Sequence, residues 1–349
     1  MSHGASRSWV LHVDLDQFIA AVEVLRRPEL AGLPVVVGGR GDPTERGVVS
    51  TASYEARAFG VGSGMPLRTA ARKIPDAVFL PVDKPAYDDA SAQVMDALRS
   101  LEVPVEVLGW DEAFLAVETA DPEGFAADVR AAVWERTGLH CSVGIGDNKL
   151  QAKIATDFGK PRGVFRLSSE TWTEQMGDRP TDALWGIGRK TATKLAGLGI
   201  HTVSELAGTE TQLLADRLGP TMGPWYRRLG RGVDSSPVDA TPYVARGHGR
   251  ETTFQQNQSD WGAVADAVRE LATQVTSDIN GEGRAAVRVG MKLRYAPFET
   301  RTRSLTLAAP ATQAGPITEA ALDLLTRFDQ TRAVRLVGVR AEMEPPAPG

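Results

Sequence analysis

Two acidic clusters stand far apart in the chain, and each ends an apolar run. The first reads Trp9-Val-Leu-His12-Val-Asp14-Leu15-Asp16-Gln17-Phe18-Ile19, the second Val105-Glu-Val-Leu-Gly109-Trp110-Asp111-Glu112-Ala-Phe-Leu115. Apolar, β-branched runs of this kind are the pattern of a buried strand. A carboxylate at the end of such a strand is costly unless a counter-charge neutralises it. Two of these strands side by side would gather Asp14, Asp111 and Glu112 around one point, where divalent cations could supply that charge. Hard carboxylate oxygens suit Mg²⁺, which keeps few protein ligands and completes its shell with water and phosphate. The chemistry such a cluster supports is two-metal phosphoryl transfer. Taken singly, either cluster reads as capping or loop acids; the weight lies in the pair.

The elements that must position these acids follow from periodicity and punctuation. Residues 9–18 read as a strand and Phe18 to Leu25 as a short helix, stopped by Pro28 and Gly32-Leu-Pro34. Val35 to Val37 and Gly47 to Ser50 read as strands around a Gly/Pro/Asp turn, and Ser53 to Phe59 and Thr69 to Lys73 as helices. Residues 19–81 thus form a small α/β insertion. Tyr87 to Leu101 reads as a helix, Glu106 to Val117 as a hairpin, and Phe125 to Thr137 as an amphipathic helix. Leu139 to Ile145 follows as a strand, Asn148 to Phe158 as a helix and Val164 to Leu167 as a last strand. This order predicts a ferredoxin-like sheet with its helices on one face. Residues 171–240 read as all-helical with short Gly turns, and 237–249 contain a linker with Pro242, Gly247 and Gly249. Beyond it, strand-like and helical segments alternate to Glu342, and the tail from Pro345 to Gly349 is expected to be disordered.

At 349 residues the chain is long enough for two to four domains, and its charged and apolar fractions are ordinary for a globular protein. No apolar run reaches the length of a membrane span, and Met1 to Ser8 is short and polar, so neither membrane insertion nor secretion is expected. The single cysteine, Cys141, excludes internal disulfides and cysteine-rich metal sites and fits a reducing, cytoplasmic setting. The net charge of −5 speaks against nucleic acid as a partner in bulk, yet binding depends on where the cations sit. They sit unevenly. Arg288, Lys292 and Arg294 share one strand parity, while Val287, Val289, Met291 and Leu293 share the other. Arg301 and Arg303 follow in a second strand-like segment, and Arg332, Arg335 and Arg340 in a third. Cations gathered on one face of a sheet would track a phosphate backbone.

With these motifs in order, the chain resembles a Y-family DNA polymerase of the DinB (polymerase IV) type over nearly its whole length. His12-Val-Asp14-Leu-Asp16-Gln-Phe18 is similar to the family's first acidic motif. Val49-Ser-Thr51-Ala-Ser-Tyr54-Glu-Ala-Arg57-Ala-Phe-Gly60 is similar to its nucleotide-binding segment, and Asp111-Glu112-Ala-Phe-Leu to its catalytic acidic pair. Ser142-Val-Gly-Ile-Gly-Asp-Asn-Lys149, with Ala152-Lys153-Ile-Ala and Lys160-Pro161-Arg-Gly163, resembles the region that closes the palm. The resemblance implies an α+β multidomain fold. It comprises a ferredoxin-like palm (9–18 and 82–170), small α/β fingers (19–81) and an all-helical thumb with a helix-hairpin-helix (171–240). A linker (241–249) and a C-terminal α/β little finger (250–344) follow. It implies template-directed DNA synthesis across or near damaged bases without proofreading, on primer-template DNA with dNTPs.

In this reading Asp14, Asp111 and the Leu15 carbonyl hold two Mg²⁺ ions (Mn²⁺ being possible), and Glu112 completes the site beside the primer 3′-hydroxyl. Both members of the Asp111-Glu112 pair can serve one site only at an irregular strand end, which Gly109 would permit. Asp16 reads as the cap of the following helix. Phe18, Ile19, Thr51, Tyr54, Arg57 and Lys160 are the nucleotide-binding candidates, with phenol and guanidinium three apart on one helix face and both able to reach the triphosphate. Lys153 reads as solvated. Gly186, Gly188 and Lys190 belong to a helix-hairpin-helix turn whose backbone N–H groups suit a DNA phosphate.

Three departures from the family stand out. Ile19 occupies a position where the family usually has Phe or Tyr, whose ring blocks a ribose 2′-hydroxyl. An apolar pocket with spare room rejects an added hydroxyl poorly, so use of rNTPs is expected. Gly109-Trp110 stands where the family usually reads Ser-Ile, with Trp110 expected to pack into the palm. The C-terminus lacks the Gln-plus-Leu/Phe peptide by which many relatives engage the sliding clamp, which leaves clamp binding open; a monomer of low processivity is expected. The rival readings are a catalytically silent DNA-binding paralogue, which the three acids oppose, and a nucleotidyl cyclase, which the missing paired glycines oppose.

Overall fold

The computed structural model describes residues 6–346, so most of the expected C-terminal tail lies outside the described residues. The chain divides near residue 242 into two compact units, with residues 43–47 grouping with the C-terminal one.

In the N-terminal unit β1 (Arg7–Leu15) leads into α1 (Phe18–Arg26). An insertion follows: β2 (Val35–Val37), β3 (Thr51–Ala52), α2 (Tyr54–Arg57), α3 (Leu67–Lys73) and β4 (Val78–Leu80). The chain returns through α4 (Lys84–Arg99), β5 (Val105–Val107), β6 (Glu112–Thr119), α5 (Pro122–Thr137), β7 (Cys141–Gly146), α6 (Lys149–Gly159) and β8 (Val164–Leu167). The large sheet has the order β5-β6-β1-β7-β8. Its first four strands are the ferredoxin-like arrangement, with β1 antiparallel to both β6 and β7; β8 is added parallel to β7 by the α6 crossover.

Alternation along β1 decides what each face carries. Trp9, Leu11, Val13 and Leu15 enter one core with Val94, Met95 and Leu98 of α4 and Val129 and Val133 of α5. His12 and Asp14 point the other way, where α6 packs and its Thr156 meets His12. The helices therefore cover both faces, not one as expected. Two glycines make this possible. A Cβ on Gly144 would lie 2.0 Å from the Ala152 carbonyl oxygen, and one on Gly146 would lie 2.5 Å from the Ala152 nitrogen. Amphipathic periodicity gives a helix a buried stripe without saying which side of a sheet the stripe meets.

The insertion forms a three-stranded sheet, β3-β2-β4, over a core of Val36, Val49, Ala56, Leu67 and Ile74. The strand expected at 47–50 is irregular, joined by a single bridge from Val48 to Pro66, and pairing begins at Thr51 instead. Helix α1 is fixed to α4 by a buried acid. Glu23 accepts a hydrogen bond from the Tyr87 hydroxyl at 2.7 Å and pairs with Arg26 and Arg27. Both carboxylate oxygens are satisfied, which is the condition for burying such a charge.

The helical segment comprises α7 (Trp172–Met176), α8 (Arg189–Ala196), α9 (Val203–Gly208), α10 (Thr211–Leu218) and α11 (Met222–Gly230). Trp172, Met176, Leu195 and Leu214 share a core with Leu150 and Ile154 of α6. Thr202 and Glu205 form a capping box at the start of α9. In the C-terminal unit β9 (Gly247–Gln258), α12 (Trp261–Gly281), β10 (Ala286–Tyr295), β11 (Glu299–Ala311), α13 (Ala314–Thr326) and β12 (Val334–Met343) give an antiparallel sheet, β11-β10-β12-β9. Val264, Val268, Leu271 and Ile317 of the helices bury Val289, Met291 and Leu293 on one face of this sheet. Gly247 and Gly249, expected in the linker, are the first residues of β9.

Cys141 is buried on β7, and burial pushes its thiol up to about 12. An aromatic disulfide reagent at pH 8 should therefore find no reactive thiol in the native protein and one per chain after denaturation. Fast native labelling would mean that β7 opens at this point.

Candidate active site

Asp14 on β1 stands directly opposite Glu112 on β6. Asp111 occupies the bend before β6, and its carbonyl accepts the Leu15 N–H at 2.9 Å. Leaving the strand alternation lets two consecutive acids serve one place, as expected. Gly109 is not among the residues with positive φ. A Cβ there would lie 3.8 Å from Asp111 Oδ1, an ordinary contact, so the bend at Asp111 does not depend on this residue being glycine. Asp14, Leu15 and Asp111 open onto a cleft of about 330 Å³ whose wall includes Phe18, Ile19, Thr51, Tyr54, Arg57 and Lys160. Every nucleotide-binding candidate from the sequence thus borders one cavity.

Glu112 is held on two sides. His12 Nε2 lies 3.1 Å from its Oε2, and Lys153 forms an ion pair with the same oxygen. The hydrogen bond from His12, aided by Lys153 and opposed by burial, takes the carboxyl down to about 2. His12 is itself buried, which lowers its own pKa, and its Nδ1 meets Thr156 Oγ1 at 2.8 Å. Lys153 is therefore not the solvated residue expected. It lies three positions before Thr156 on α6, so both project toward β1. His12 and Lys153 are the functional candidates that sequence reasoning missed. Their signals were available: His12 shares the strand parity of Asp14, and Lys153 the helix face of Thr156.

Asp14 and Asp111 are both raised, in each case chiefly by burial. The Lys160 ammonium, 2.9 Å from Asp14 Oδ2, works against this at Asp14, whereas the neighbouring Glu112 raises Asp111 further. Ligand atoms of His12, Asp14 and Glu112 lie within 4.8 Å of one another. His12 is engaged by Glu112 and Thr156, so the donor set open to a cation is hard carboxylate oxygen. Carboxylates raised by burial and by each other lack positive charge, and Mg²⁺ or Mn²⁺ matches both the donor type and the deficit.

Asp16 is not a helix cap. The chain turns at Gln17, whose φ is 47°, and Gln17 takes the cap position without a side-chain bond to the first turn of α1. Asp16 is buried instead and accepts hydrogen bonds from the Tyr54 hydroxyl at 2.8 Å, Ser142 Oγ at 3.0 Å and the Arg162 N–H at 2.9 Å. Gln17 Oε1 accepts the Tyr54 N–H at 2.5 Å. Arg57 donates from Nε to the Ala52 carbonyl at 2.9 Å and sets its guanidinium 5.0 Å from the Tyr54 ring centre. Trp110 is packed as expected, with the Tyr87 ring centre at 6.3 Å and the Lys84 ammonium at 5.2 Å.

Two further surfaces carry the remaining candidates. In the hairpin turn Gly186 has φ 98°, and a Cβ there would come 2.7 Å from Trp225. Gly188 caps α8 without a side chain, and Lys190 is exposed in the first turn. In the C-terminal unit the register separates the cations. Arg288, Lys292 and Arg294 pair across β10 and β11 with Thr306, Thr302 and Thr300, and Arg340 pairs with Gly290, all on the sheet's open face. Gly249, Gly290 and Gly338 floor a trough of about 670 Å³ on that face. Arg301 and Arg303 pair with the buried Leu293 and Met291, so they belong to the opposite, helix-bearing face. A bulge between Ala286 and Arg288 likewise makes Ala286, rather than Val287, the buried residue. Arg332 precedes β12 and pairs with Glu299 at 2.6 Å, and Arg335 stacks 4.6 Å from the Phe298 ring centre beside a second bulge.

Since Asp111 is raised above its ordinary 3.8, the native state holds its proton more tightly than the unfolded chain. The resulting penalty on folding is complete above the raised value and fades as pH falls through it toward 3.8. Asp111→Asn should therefore stabilise the cation-free protein at pH 7.5 by about 1 kcal/mol, with the gain vanishing in acid. Added Mg²⁺ should narrow the gap, because it favours the parent site. Thermal melts at two pH values, with and without Mg²⁺, check this; a variant that melts lower at pH 7.5 would overturn it.

Comparison with known proteins accounts for both units. The impB/mucB/samB family matches residues 13–157, and the C-terminal domain of the same family matches residues 245–343. The chain is 49% identical over 343 residues to DNA polymerase IV 2 of Mycobacterium tuberculosis (strain ATCC 25618 / H37Rv), covering 97% of this chain and 99% of that one. It is 40% identical over 341 residues to DNA polymerase IV of Methanoculleus marisnigri, covering 96% and 94%. Among solved structures it resembles the Y-family DNA polymerase chimera Dbh-Dpo4(243-245)-Dbh at a TM-score of 0.84 and 25% identity, covering 96% of this chain and 98% of the chimera. It also resembles an insertion ternary complex of Dbh DNA polymerase, at a TM-score of 0.65 with the same identity and coverage. The chain belongs to the Y family of DNA polymerases, of the DinB type, and is a DNA-directed DNA polymerase.

Proposed function

We propose that this polymerase extends a DNA primer across or near damaged template bases, by two-metal phosphoryl transfer and without proofreading, and that it discriminates weakly against ribonucleotides. The observation that carries the reading is the register of Asp14 against Glu112, with Asp111 adjoining, at the mouth of a cleft bordered by Ile19, Tyr54, Arg57 and Lys160. Asp14, Asp111 and the Leu15 carbonyl would hold two Mg²⁺ ions, or Mn²⁺, with Glu112 nearest the primer. Bound there, the ions supply a lowered pKa at the 3′-hydroxyl and positive charge at the departing pyrophosphate.

The chain's own residues prepare that chemistry. Glu112 is kept ionised by His12 and Lys153, so no proton has to leave it when a cation arrives. Lys160 offsets Asp14 and lies on the cleft wall, where a triphosphate would give its ammonium a second anionic partner. Arg57 spends only Nε on Ala52, leaving the terminal nitrogens of its fork for phosphate oxygens. Ile19 is buried at the same wall and has no ring to lie beneath a sugar. A pocket of this kind excludes an extra hydroxyl poorly.

The palm is assigned to 9–18 and 82–170, the fingers to 19–81 and the thumb to 171–240; because β9 begins at Gly247, the linker shortens to 241–246 and the little finger takes 247–344. Gly186, Gly188 and Lys190 would meet a DNA phosphate at the α8 N-terminus. Arg288, Lys292, Arg294 and Arg340 would track the backbone from the open face of the little finger, and Arg335 would join them beside Arg294.

Primer extension tests the chemistry and the sugar choice together. With Mg²⁺ the parent should extend a primed template with either dNTPs or rNTPs, Asp111→Ala should extend neither, and Ile19→Phe should lose rNTP use while keeping dNTP use. A strong dNTP preference in the parent, unchanged in Ile19→Phe, would refute weak discrimination. A parent that binds primed template yet never extends it would be a silent paralogue. A second measurement reads the DNA surface. Arg340→Ala should lower affinity and reduce the salt slope by about 1, whereas Arg301→Ala, on the other face, should leave the slope unchanged. Equal effects would break the assignment of the open face.

A further inference from the structure

We propose that Trp185 is a positioning residue for the polymerase reaction: its indole face holds the Lys153 ammonium against Glu112, and so ties the hairpin turn before α8 to that carboxylate. The inference rests on the reading of Glu112 as a catalytic acid and names what keeps its counter-charge in place.

The backbone on either side of Trp185 is fixed. Leu184 and Ile187 are buried in the core of the helical segment, and the Ile187 N–H closes the turn on the Leu184 carbonyl at 3.0 Å. Gly186 completes the turn in a left-handed conformation, backed by Trp225. The Trp185 side chain leaves this core and reaches the large sheet instead. Its ring centre lies 5.9 Å from that of Phe114 on β6 and 5.7 Å from the Lys153 Nζ of α6. Phe114 is fully buried and in contact with the His12 ring as well, so the indole has a rigid seat. Trp185 is nonetheless 41% exposed. A tryptophan left this open gains less from burial than one in a core, so what it touches carries more of its weight.

Glu112 and Phe114 share a strand face, and two lysines of α6, four residues apart, stand beside it. Lys149 is buried, paired with Glu106 and 5.5 Å from the centre of the Phe114 ring. Lys153, one turn on, reaches Glu112 from a position that water can enter. An ion pair with that access to solvent is weak by itself, and a lysine has many rotamers to choose among. In a protein that binds DNA, phosphate oxygens compete for the same ammonium. An aromatic face laid against the ammonium counters all three effects. It removes water from one side, limits the rotamers and adds the attraction of its own quadrupole. The turn that carries this ring is also the one whose backbone N–H groups are candidates for a DNA phosphate. One ring and one ammonium thus join that turn to the carboxylate assigned to the primer end.

Single-turnover extension of a primed template, at saturating DNA and over a range of dNTP concentrations, tests this. Trp185→Leu should slow the maximal rate about tenfold with dNTP affinity unchanged, whereas Trp185→Phe should stay within about twofold of the parent. Leucine keeps an apolar contact with Phe114 but offers nothing to a cation, so the pair of variants separates packing from the hold on Lys153. In a Lys153→Met background, Trp185→Leu should cause no further loss, because the interaction it serves is already gone. A parent-like rate in Trp185→Leu, an equal loss in Trp185→Phe, or a tenfold loss that persists beside Lys153→Met would overturn the proposal. So would a defect confined to DNA affinity. Where Lys153→Met is too slow to resolve, the contrast between leucine and phenylalanine decides alone. Glu112→Gln is the separate control. If it extends like the parent, the reading of Glu112 fails; if it is inactive while Trp185→Leu is unimpaired, only the role of Trp185 is lost.

Discussion

Three carboxylates brought together at the mouth of a sheet repel one another, and the surrounding structure is arranged around that repulsion. The compensation is uneven. Glu112 receives His12 and Lys153 directly and Asp14 receives Lys160, whereas Asp111 is raised by burial and by the charge of its own neighbour and is offset only in part by a backbone hydrogen bond and the fields of Lys160 and Lys153. A site fully neutralised by side chains would have little to gain from a cation. One left short at Asp111 retains a reason to take one up, at a cost in stability that a folded protein tolerates only where function needs it. The lysine that reaches Glu112 gets there because α6 lies close upon β7, and α6 lies close because Gly144 and Gly146 present no side chains. The chain Gly144, α6, Lys153, Glu112 thus links a packing detail to the electrostatics of the site.

Much of this was legible in the sequence, and the gaps have physical causes. The acidic clusters and the ferredoxin-like strand order follow from apolar runs that end in charge and from punctuation by Gly and Pro, whereas the cleft-lining residues came from motifs that resemble those of the family. These are local signals, and they survived folding. The errors arose where two segments had to be placed against each other. Helices expected on one face cover both, because the side of a sheet that a helix chooses depends on which strand surface is small enough to receive it, here that of Gly144 and Gly146 on β7, and helix periodicity does not report this. Asp16, read as a cap from its position before a helix, became a buried acceptor because Gln17 adopts a left-handed conformation and delays the helix by one residue. A carboxylate's partners cannot be read from its own neighbours when they come from α2, β7 and the turn at Arg162.

The C-terminal unit shows the same limit in another form. Parity within β10 was readable, so Arg288, Lys292 and Arg294 were correctly placed together. Parity between strands was not, because it depends on register, and register depends on turns and bulges. One residue of shift sends Arg301 and Arg303 to the helix-bearing face, where Arg303 lies over the ring of Phe328 and Arg301 pairs with Glu299. Counting cations along a sequence therefore overstates the charge that one surface can offer. On the open face Lys292 is further offset by Glu251 at 2.7 Å.

Absence of a ring at position 19 matters only if nothing else moves into the space. The usual way for a helix to fill a gap is to slide or rotate by a fraction of a turn. Helix α1 is poorly placed to do so. At its N-terminal end Gln17 is bonded to the Tyr54 N–H, and the preceding Asp16 is bonded to three groups from separate elements. Near its C-terminal end Glu23 is buried, satisfied by Tyr87, Arg26 and Arg27, and any slide would strand that charge. Between these anchors Phe18, Ile19 and Val22 are packed in the core of the large sheet. On the proposed reading, the room at Ile19 would thus be held open by a helix pinned at both ends. Restoring a ring there would change the size of the pocket without moving the backbone that bounds it.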